Sequence, residues 1–315
     1  MQAHVYAIPM RNRFRGITER QGVLLRGESG WGEFCAFEDY TDTESALWLD
    51  CALESAEQDW PEPVRDRVPV NCTVPVVSPE RAHEIVAASG CRTAKVKVAD
   101  PGSPLAGDCA RVEAVRDALG PSGAIRVDAN AAWSVDEAVR AISALDKAAG
   151  GLEYVEQPCP SVPELAQVRR RVDVRVAADE SIRRAEDPLR VAVAGAADVA
   201  VLKVAPLGGV RRALRVAEAC GLPCVVSSAV ESSVGLAAGL ALAGALPELD
   251  FACGLGTLSL LTADVVDQPL RPVDGWLPVP RRAPAPSADL LAAVTANPAT
   301  SQRWLTRLDR IRALA

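Results

Sequence analysis

The amino-acid sequence predicts an α/β fold, a TIM-like (β/α)7β barrel with an α+β capping domain. From about residue 68, eight short runs rich in β-branched residues alternate with amphipathic stretches of helical periodicity. Each unit is about 23 to 30 residues long, which suits a strand followed by a helix. An open doubly wound sheet is the alternative. No GxGxxG follows the first run, however, and eight similar units favour closure.

The segments on either side of this repeat differ from it in pattern and define the predicted domains. The N-terminal capping domain covers 1–67, the barrel covers 68–271, and the C-terminal segment, 272–315, is expected to pack with the cap. In the cap, "GVLLRGESGWGEF" predicts a hairpin with a Gly/Ser turn at 27–30. "DTESALWLDCALESAEQDW" and the C-terminal "SQRWLTRLDRIRALA" have helical spacing.

The eight predicted barrel strands are the β-branched runs at 68–74, 93–98, 124–128, 152–156, 175–179, 198–203, 224–228 and 250–254. Stretches between them, such as "SPERAHEIVAASG", begin with a serine and end with glycine, which are helix start and stop signals. The longest apolar run, "VGLAAGLALAGAL" at 234–246, is too short to span a bilayer and predicts a buried helix.

Composition and charge argue against several function classes. The chain has 34 Lys and Arg against 41 Asp and Glu, a formal net charge of −7, and no basic run. Nucleic acid and an anionic membrane are therefore not expected as partners. The nine cysteines follow no disulfide or zinc spacing, and the N-terminal stretch lacks the apolar core of a signal peptide. A reducing cytoplasm is expected. The oligomeric state stays open, and a monomer is compatible with the sequence.

Nearly all of the positive charge comes from arginine, so the four lysines are informative. Lys95, Lys97 and Lys203 lie at the ends of predicted strands, where active-site residues gather in TIM-like barrels. Lys95 and Lys97 are two residues apart, so their side chains share one face of the strand. A surface position on an edge strand is the alternative, but a closed barrel has no edge strand.

Three acidic residues end three consecutive predicted strands: Asp128, Glu156 and Asp179. Asn130 shares a face with Asp128. A single acid at such a position usually serves a turn or a helix cap. Three of them at matched strand ends would repel one another unless they bound a cation. Oxygen ligands with room for water and substrate suit Mg²⁺, with Mn²⁺ as the alternative.

Lysines beside such a cation suggest proton transfer. A dication and a neighbouring lysine both disfavour the charged ammonium, so the lysine pKa is expected to fall. A neutral lysine can take the proton α to a metal-bound carboxylate, and the metal then stabilises the ene-diolate.

Two further motifs are candidates for binding an anionic substrate group. "SSAVESSVGL" contributes Ser227 and Ser228, and "GLGTLS" contributes Gly254, whose backbone can approach a ligand closely. The alternative for the first motif is capping of the next helix, with Ser232 or Ser233 as the N-cap.

Taken together, "TAKVKV", "VDANAAW", "YVEQP", "ADES" and "LKVAPLGG" resemble the muconate lactonising enzyme subgroup of the enolase superfamily. This match runs through the whole barrel. The cap sequence "FRGITERQGVLLRGESGWGEFCAF" and the SSxxES pattern resemble, within that subgroup, the o-succinylbenzoate synthase family.

The resemblance implies an Mg²⁺-dependent dehydration of 2-succinyl-6-hydroxy-2,4-cyclohexadiene-1-carboxylate, a small-molecule carboxylate of menaquinone biosynthesis. Lys97 would remove the α proton and return it to the departing hydroxyl. Lys203 would stabilise the enediolate, and Lys95 would help to position the carboxylate. The other implied roles are metal ligands (Asp128, Glu156, Asp179), supporting residues (Asn130, Glu180) and residues around the succinyl tail (Ser227, Ser228, Gly254). Residues 10–17 would form a cap loop that closes on substrate.

Other functions stay open at this point. An N-acylamino acid racemase would use the same metal and would need Lys97 and Lys203 as an acid/base pair on two faces of the substrate. A dipeptide epimerase is less expected, because the last strand ends in "CGLGT" and not in a DxD-type motif. A non-catalytic barrel would be expected to have lost a metal ligand or a lysine, and all of these positions are present.

Overall fold

The computed structural model describes residues 2–183 and 190–314, which form a sheet-and-helix cap and a larger barrel of parallel strands. The cap sheet consists of three antiparallel strands in the order β1 (Gln2–Phe14), β2 (Ile17–Arg26) and β3 (Trp31–Phe34). The hairpin predicted around 27–30 is β2–β3. The sequence did not predict β1, which pairs with β2 as far as a tight turn at 15–16. Residues 10–17, expected to be a loop, are therefore mostly the tip of a long hairpin.

Helices from both ends of the chain cover the cap sheet. The first, α1 (Asp42–Glu57), begins at a capping box between Thr41 and Glu44 and packs on β3. Near the C-terminus lie α10 (Ala288–Ala293) and α11 (Pro298–Arg312), and α11 packs against α1, β1 and β2. The two ends of the chain thus pack together, as the sequence predicts.

Seven parallel strands form the barrel sheet: β5 (Cys72–Val74), β6 (Thr93–Lys97), β7 (Ala124–Asp128), β8 (Tyr154–Glu156), β9 (Val176–Ala178), β10 (Val199–Lys203) and β11 (Cys224–Ser227). Their order in the sheet follows their order in the chain, from β5 to β11. Each overlaps a β-branched run that was predicted to be a strand.

The remaining gap of the barrel is closed by backbone bridges and not by an eighth strand. Cys253 bridges Val70 beside β5, and Gly254 bridges Ser227 of β11. The strand predicted at 250–254 is therefore wrong as a full strand. A side chain at Gly254 would lie 2.5 Å from the Ser227 Oγ, so the close approach requires glycine.

The first predicted strand, 68–74, is also divided. Its beginning is β4 (Arg67–Pro69), which pairs antiparallel with β12 (Trp276–Pro278) outside the barrel, and only its end belongs to β5. A short 3₁₀ helix (Thr257–Leu260) follows the closing segment.

Helices connect the barrel strands: α2 (Pro79–Ala87), α3 (Leu105–Leu119), α4 (Val135–Ala149), α5 (Val162–Arg169), α6 (Glu180–Arg183), α7 (Arg190–Val193), α8 (Val210–Cys220) and α9 (Ser233–Ala245). The helix expected between the fifth and sixth strands lies partly outside the described residues, at 184–189. The helix α9 is almost entirely buried, as its Ala/Gly-rich sequence predicts. Among the described helices, none is both long and apolar enough to cross a membrane.

The barrel interior is filled on its N-terminal side. Tyr154, Val199, Val201 and Phe251 form a separate apolar cluster there, and the buried Arg126 guanidinium lies 4.7 Å from the centroid of the Tyr154 ring. This layer also contains polar contacts, because Arg126 donates to the Asn71 Oδ1 at 3.3 Å and pairs with Glu153. The inward-facing lysines and acids at the C-terminal ends of the strands form a separate group, at the end where active sites lie in TIM-like barrels.

Candidate active site

β6 places both of its lysines inside the barrel. Lys95 donates from Nζ to both carboxylate oxygens of Glu156, each at 2.9 Å, and lies 3.3 Å from the Asp128 Oδ2. Lys97 donates to the Asp128 Oδ2 at 2.5 Å and to the Asn130 Oδ1 at 2.7 Å. The alternation along one strand thus brings two ammonium groups to the ends of β7 and β8.

The three predicted acids lie at the same end of the barrel. Strand register pairs Asp128 with Glu156 across β7 and β8, and Asp179 directly follows β9. None of the three side chains is more than 1 % exposed. Asp179 accepts from the Lys203 Nζ of β10 at 2.6 Å, which joins the third lysine to the third acid.

Arg183 is a member of this group that the sequence analysis missed. It lies one helical turn after Asp179 and donates to that carboxylate at 2.8 Å and to the Glu180 Oε1 at 2.6 Å. It also contacts the Tyr40 hydroxyl, which belongs to the cap. The acidic and basic residues of "DESIR", four apart at a helix start, were the available signal. Asn130 reaches the Glu180 Oε1 from the other side at 3.4 Å.

For residues paired with the β6 lysines, the ion pairs shift the pKa in the direction opposite to the shift that burial causes. Burial alone would raise the pKa of Asp128, but Lys97 and Lys95 outweigh it and hold that pKa far below its usual value. Burial alone would lower the pKa of Lys95, but Glu156 and Asp128 raise it. Within the protein's own charges, the two carboxylates that contact Lys95 directly therefore favour its charged form.

For Glu156, Glu180 and Lys203, burial sets the direction of the pKa shift. It raises the pKa of Glu156, and the nearby Asp128 raises it further. Burial and the charge of Asp179 raise the pKa of Glu180 to about 7. Burial lowers the pKa of Lys203, and Arg183 adds to this effect although Asp179 opposes it. Burial and the neighbouring Arg183 therefore favour the neutral form of Lys203.

The three acids fit a divalent cation by their chemistry. Among the described residues, no three Asp, Glu, Cys or His side chains are already drawn together as a ligand set. Instead, Asp128, Glu156 and Asp179 are each paired with a lysine. They are nevertheless buried oxygen donors on three adjacent strands, a donor type that suits Mg²⁺ or Mn²⁺. The raised pKa of Glu156 indicates that its carboxylate lies where more positive charge would be favourable.

A small inner pocket of about 30 Å³ opens above these residues. Its walls include the three lysines, together with Phe14, Arg15, Phe37, Thr73, Asn130, Ser227, Ser228, Ala229, Val230, Gly254 and Thr257. The predicted Ser227, Ser228, Gly254 and Asn130 are thus brought to the lysines. Phe14, Arg15 and Phe37 come from the cap and were not predicted individually.

The tip of the β1–β2 hairpin separates this pocket from a larger groove. The groove has a volume of about 790 Å³ and also includes Phe14, Arg15, Lys97 and Asn130. The Lys97 Nζ lies 5.1 Å from the centroid of the Phe14 ring. The hairpin tip thus lines both the inner pocket and the larger groove, next to Lys97.

Beside β11, backbone groups that were expected to bind substrate instead form the hydrogen bonds that close the barrel. The Ser228 amide donates to the Gly254 carbonyl at 3.0 Å, and the Gly254 amide donates to the Val226 carbonyl at 2.8 Å. These two amides therefore close the barrel. Ser232 is the N-cap of α9, as one of the two alternatives for this motif predicted.

Comparison with known proteins agrees with this architecture. Residues 5–56 match the enolase N-terminal domain-like family, and residues 78–284 match the enolase C-terminal domain-like family. The chain is 64 % identical over 313 residues to an o-succinylbenzoate synthase of Thermobifida fusca (strain YX), covering 99 % of this chain and 96 % of the relative. It is 56 % identical over 312 residues to one of Mycolicibacterium smegmatis, with 99 % and 95 % coverage.

The chain belongs to the o-succinylbenzoate synthase family of the enolase superfamily. It is therefore an enzyme of the lyase class that acts on a small molecule.

Solved structures of the superfamily share the fold of this o-succinylbenzoate synthase family member. Muconate lactonizing enzyme from Pseudomonas fluorescens superposes with a TM-score of 0.78 at 24 % identity, covering 94 % of this chain and 98 % of that one. N-succinyl Arg/Lys racemase from Bacillus cereus superposes with a TM-score of 0.77 at 22 % identity, covering 94 % and 97 %. These neighbours confirm the predicted fold, a barrel with a cap.

Proposed function

We propose that this enzyme dehydrates 2-succinyl-6-hydroxy-2,4-cyclohexadiene-1-carboxylate to o-succinylbenzoate, as a step of menaquinone biosynthesis. The observation that carries the proposal is the placement of Lys97 and Lys203 around one pocket. β6 and β10 are four positions apart in a ring of seven strands and one closing segment, so the two lysines approach the pocket from opposite walls. Membership of the family supports the choice of reaction.

Lys97 is the acid/base group in this proposal. Its amine removes the proton from the ring carbon that carries the carboxylate, and the electron pair is delocalised into that carboxylate. The electron pair then returns to form the ring double bond as the C–O bond to the neighbouring hydroxyl breaks. Lys97 gives its proton to the departing oxygen, so water leaves and the ring becomes aromatic. The hydrogen bond to Asn130 holds the ammonium near Asp128 on this wall.

Lys203 acts from the opposite wall. Its ammonium carries positive charge towards the negative charge that develops on the substrate carboxylate. Asp179 holds Lys203 at 2.6 Å, and Arg183 fixes Asp179 in turn. Lys95 pairs with Glu156 and Asp128, so it positions carboxylates and transfers no proton in this scheme.

Asp128, Glu156 and Asp179 would hold Mg²⁺, or Mn²⁺ in its place. When bound, the ion supplies fixed positive charge that stabilises the enediolate form of the substrate. Asn130 and Glu180 support this group through their mutual hydrogen bond.

The wall of Ser227, Ser228 and Gly254 faces the succinyl tail in this proposal. Since the Ser228 and Gly254 amides are engaged in closing the barrel, the Ser227 hydroxyl is the group that reaches the substrate. Gly254 serves by leaving room beside that hydroxyl. Arg15 also lines this pocket and supplies positive charge for a second carboxylate.

We also propose that the enzyme works in the cytoplasm, since all nine cysteines are present as free thiols. The predicted boundaries at 67/68 and 271/272 remain our proposal for the domain limits.

The test follows the loss of cyclohexadiene absorbance with purified protein and Mg²⁺. We expect the reaction to stop with a chelator and in Lys97→Ala. Lys147→Ala is the matched control, because Lys147 is the exposed fourth lysine, on α4. Retained activity in Lys97→Ala, or no activity in the wild type, would contradict the proposal.

A second candidate, N-succinylamino acid racemase, is favoured by the same pair of opposed lysines. A racemase needs a base on each face of the α carbon, and the lowered pKa of Lys203, caused by burial, suits such a base. The test is exchange of the α proton of N-succinyl amino acids in deuterated water. Exchange that survives from one enantiomer and is lost from the other in Lys203→Ala would make racemisation an activity of this enzyme.

A further inference from the structure

Arg20 is a cation enclosed between the cap and the barrel. It lies on β2, and its side chain is 2 % exposed. The guanidinium lies 4.2 Å from the centroid of the Phe37 ring. A buried charge is unfavourable unless hydrogen bonds satisfy it, so the groups that accept from Arg20 indicate its role.

The acceptors are main-chain carbonyls, and two of them belong to the barrel. The Arg20 Nε donates to the Val230 carbonyl at 3.0 Å. The Nη2 donates to the Ala229 carbonyl at 3.1 Å and to the Cys35 carbonyl of the cap at 2.6 Å. Ala229 and Val230 line the inner pocket. One cap side chain therefore holds two consecutive peptide groups of the pocket wall.

The segment that Arg20 holds is strained. Val230 has a φ of 64°, and the left-handed region is unfavourable for a β-branched residue. Such a conformation persists only where the surroundings hold it. The Val230 amide donates to the Ser228 Oγ at 2.9 Å, and the Ala229 amide donates to the Glu231 carboxylate at 2.8 Å. Barrel residues thus hold the amides of this segment, and the cap holds its carbonyls.

The adjacent cap strand holds the continuation of the same segment with the opposite charge. Glu33 of β3 is 3 % exposed and accepts from the Ser232 amide at 3.1 Å, the Ser232 hydroxyl at 2.5 Å and the Gly235 amide at 2.9 Å. The Arg20 guanidinium binds carbonyls of this segment and the Glu33 carboxylate binds its amides. Together they fix the path of residues 229–235 relative to the cap.

We propose that Arg20 is a positioning residue that sets the shape of the pocket wall at Ala229 and Val230, and through it the affinity for substrate. The planar guanidinium donates to four carbonyls at once, those already named and that of Gln21 at 3.4 Å, which a lysine ammonium cannot do in the same geometry. Without it, Val230 can relax towards an extended conformation and change the pocket wall. The effect on affinity rests on the proposed function, whereas the effect on the segment does not.

The experiment compares Arg20→Lys and Arg20→Met with a matched control, Arg65→Lys. Arg65 also ties the region around the cap to barrel carbonyls, those of Ala243, Leu246 and Pro247, but at the other end of α9 from the pocket. Two quantities are measured in the holoenzyme with Mg²⁺. The first is hydrogen exchange of the peptides that cover 227–236, and the second is the steady-state rate of dehydration.

We expect both Arg20 variants to exchange faster at 227–236 than the wild type. KM is expected to rise about tenfold or more while kcat changes less than about threefold. Arg65→Lys is expected to leave KM and the exchange at 227–236 unchanged. Unchanged exchange in the Arg20 variants overturns the inference whatever the activity. Faster exchange with an unchanged KM overturns it as well, because Arg20 is then only structural. An inactive wild type overturns the proposed function alone, and the exchange comparison still decides whether Arg20 sets the segment.

Discussion

Lys95 and Lys97 leave β6 on the same face, yet they pair with different carboxylates. Both oxygens of Glu156 accept from Lys95, whereas Lys97 contacts Asp128 and Asn130. Asp128 has both lysines within 3.3 Å, so it keeps an ammonium partner when either one is removed. Of the two β6 lysines, only Lys95 contacts Glu156, so Glu156 loses its ammonium partner on β6 when Lys95 is removed. The two lysines of this motif are therefore expected to contribute differently to the stability of the fold.

This difference predicts opposite orders for Lys95→Met and Lys97→Met in two measurements, stability without metal and activity with Mg²⁺. Lys95→Met leaves Glu156 buried without its hydrogen-bonded ammonium, which costs about 3 to 5 kcal/mol of unfolding free energy. Lys97→Met costs less, because Asp128 retains Lys95. Activity is expected to follow the reverse order, with kcat falling by about 10²-fold or more in Lys97→Met. Urea unfolding with a chelator measures the stability, and single-turnover rates with Mg²⁺ measure the activity. Equal stability loss in the two variants would contradict the assigned pairing.

Binding of Mg²⁺ is expected to stabilise the fold, because Asp128, Glu156 and Asp179 are brought together to bind the ion only in the native state. At an ion concentration of about 100 times Kd, the gain is about 2.7 kcal/mol and appears as a higher Tm. In Asp179→Asn we expect most of that shift to be lost. Asp198→Asn is the control, because Asp198 pairs with Arg169 at the opposite end of the barrel. Its Tm is expected to fall while its Mg²⁺ shift stays intact; a Mg²⁺ shift that is the same in Asp179→Asn would exclude this site.

Much of the barrel could be predicted from the sequence, because parallel strands are short β-branched runs at regular spacing. The runs at 93–98 and 198–203 became strands within a residue of the expected bounds. The run at 250–254 did not, because closure there needs only Cys253 and Gly254. Hydrophobic pattern alone does not distinguish a strand from two bridging residues.

The acids and lysines were predictable because each lies at a strand end, where its position follows from local sequence. Arg20 and Arg183 were not, because their partners are set by tertiary contact. Arg20 reaches carbonyls about 210 residues away, and Arg183 reaches Tyr40 of the cap. The strand β1 was also missed, because its sequence mixes charged and apolar residues without regular alternation.

Stability should depend on pH through Glu231, which lies beside the segment that Arg20 holds. Burial raises the pKa of this carboxyl and Glu33 raises it further, while Arg20 and the Ala229 amide oppose the shift. The folded protein therefore binds this proton more tightly than the unfolded chain, in which the pKa is about 4.3. The associated stability is present at low pH and is lost as pH rises through the folded-state pKa.

Glu231→Gln removes this dependence, so the variant should gain on the wild type as pH increases. The Tm of the variant minus that of the wild type is expected to rise from about pH 5 to about pH 8 in thermal melts. A difference that shrinks with rising pH would mean that the charged carboxylate stabilises the fold, contrary to the raised pKa.

At Gly32 the backbone of the cap sheet packs very closely on α1. A Cβ at this position on β3 would lie 1.9 Å from the Ala52 carbonyl oxygen of α1, and backbone atoms cannot yield as a flexible side chain can. Gly32→Ala is therefore expected to cost about 1 to 3 kcal/mol by overpacking.

Gly30→Ala in the same hairpin is the control, since its Cβ would meet only the Ser55 carbonyl oxygen at 3.8 Å. We expect that variant to stay within about 0.5 kcal/mol of the wild type in urea unfolding. Since α1 and β3 support the hairpin that closes the inner pocket, Gly32→Ala should also raise KM. Equal stability of the two variants would mean that α1 moves away from the sheet at little cost.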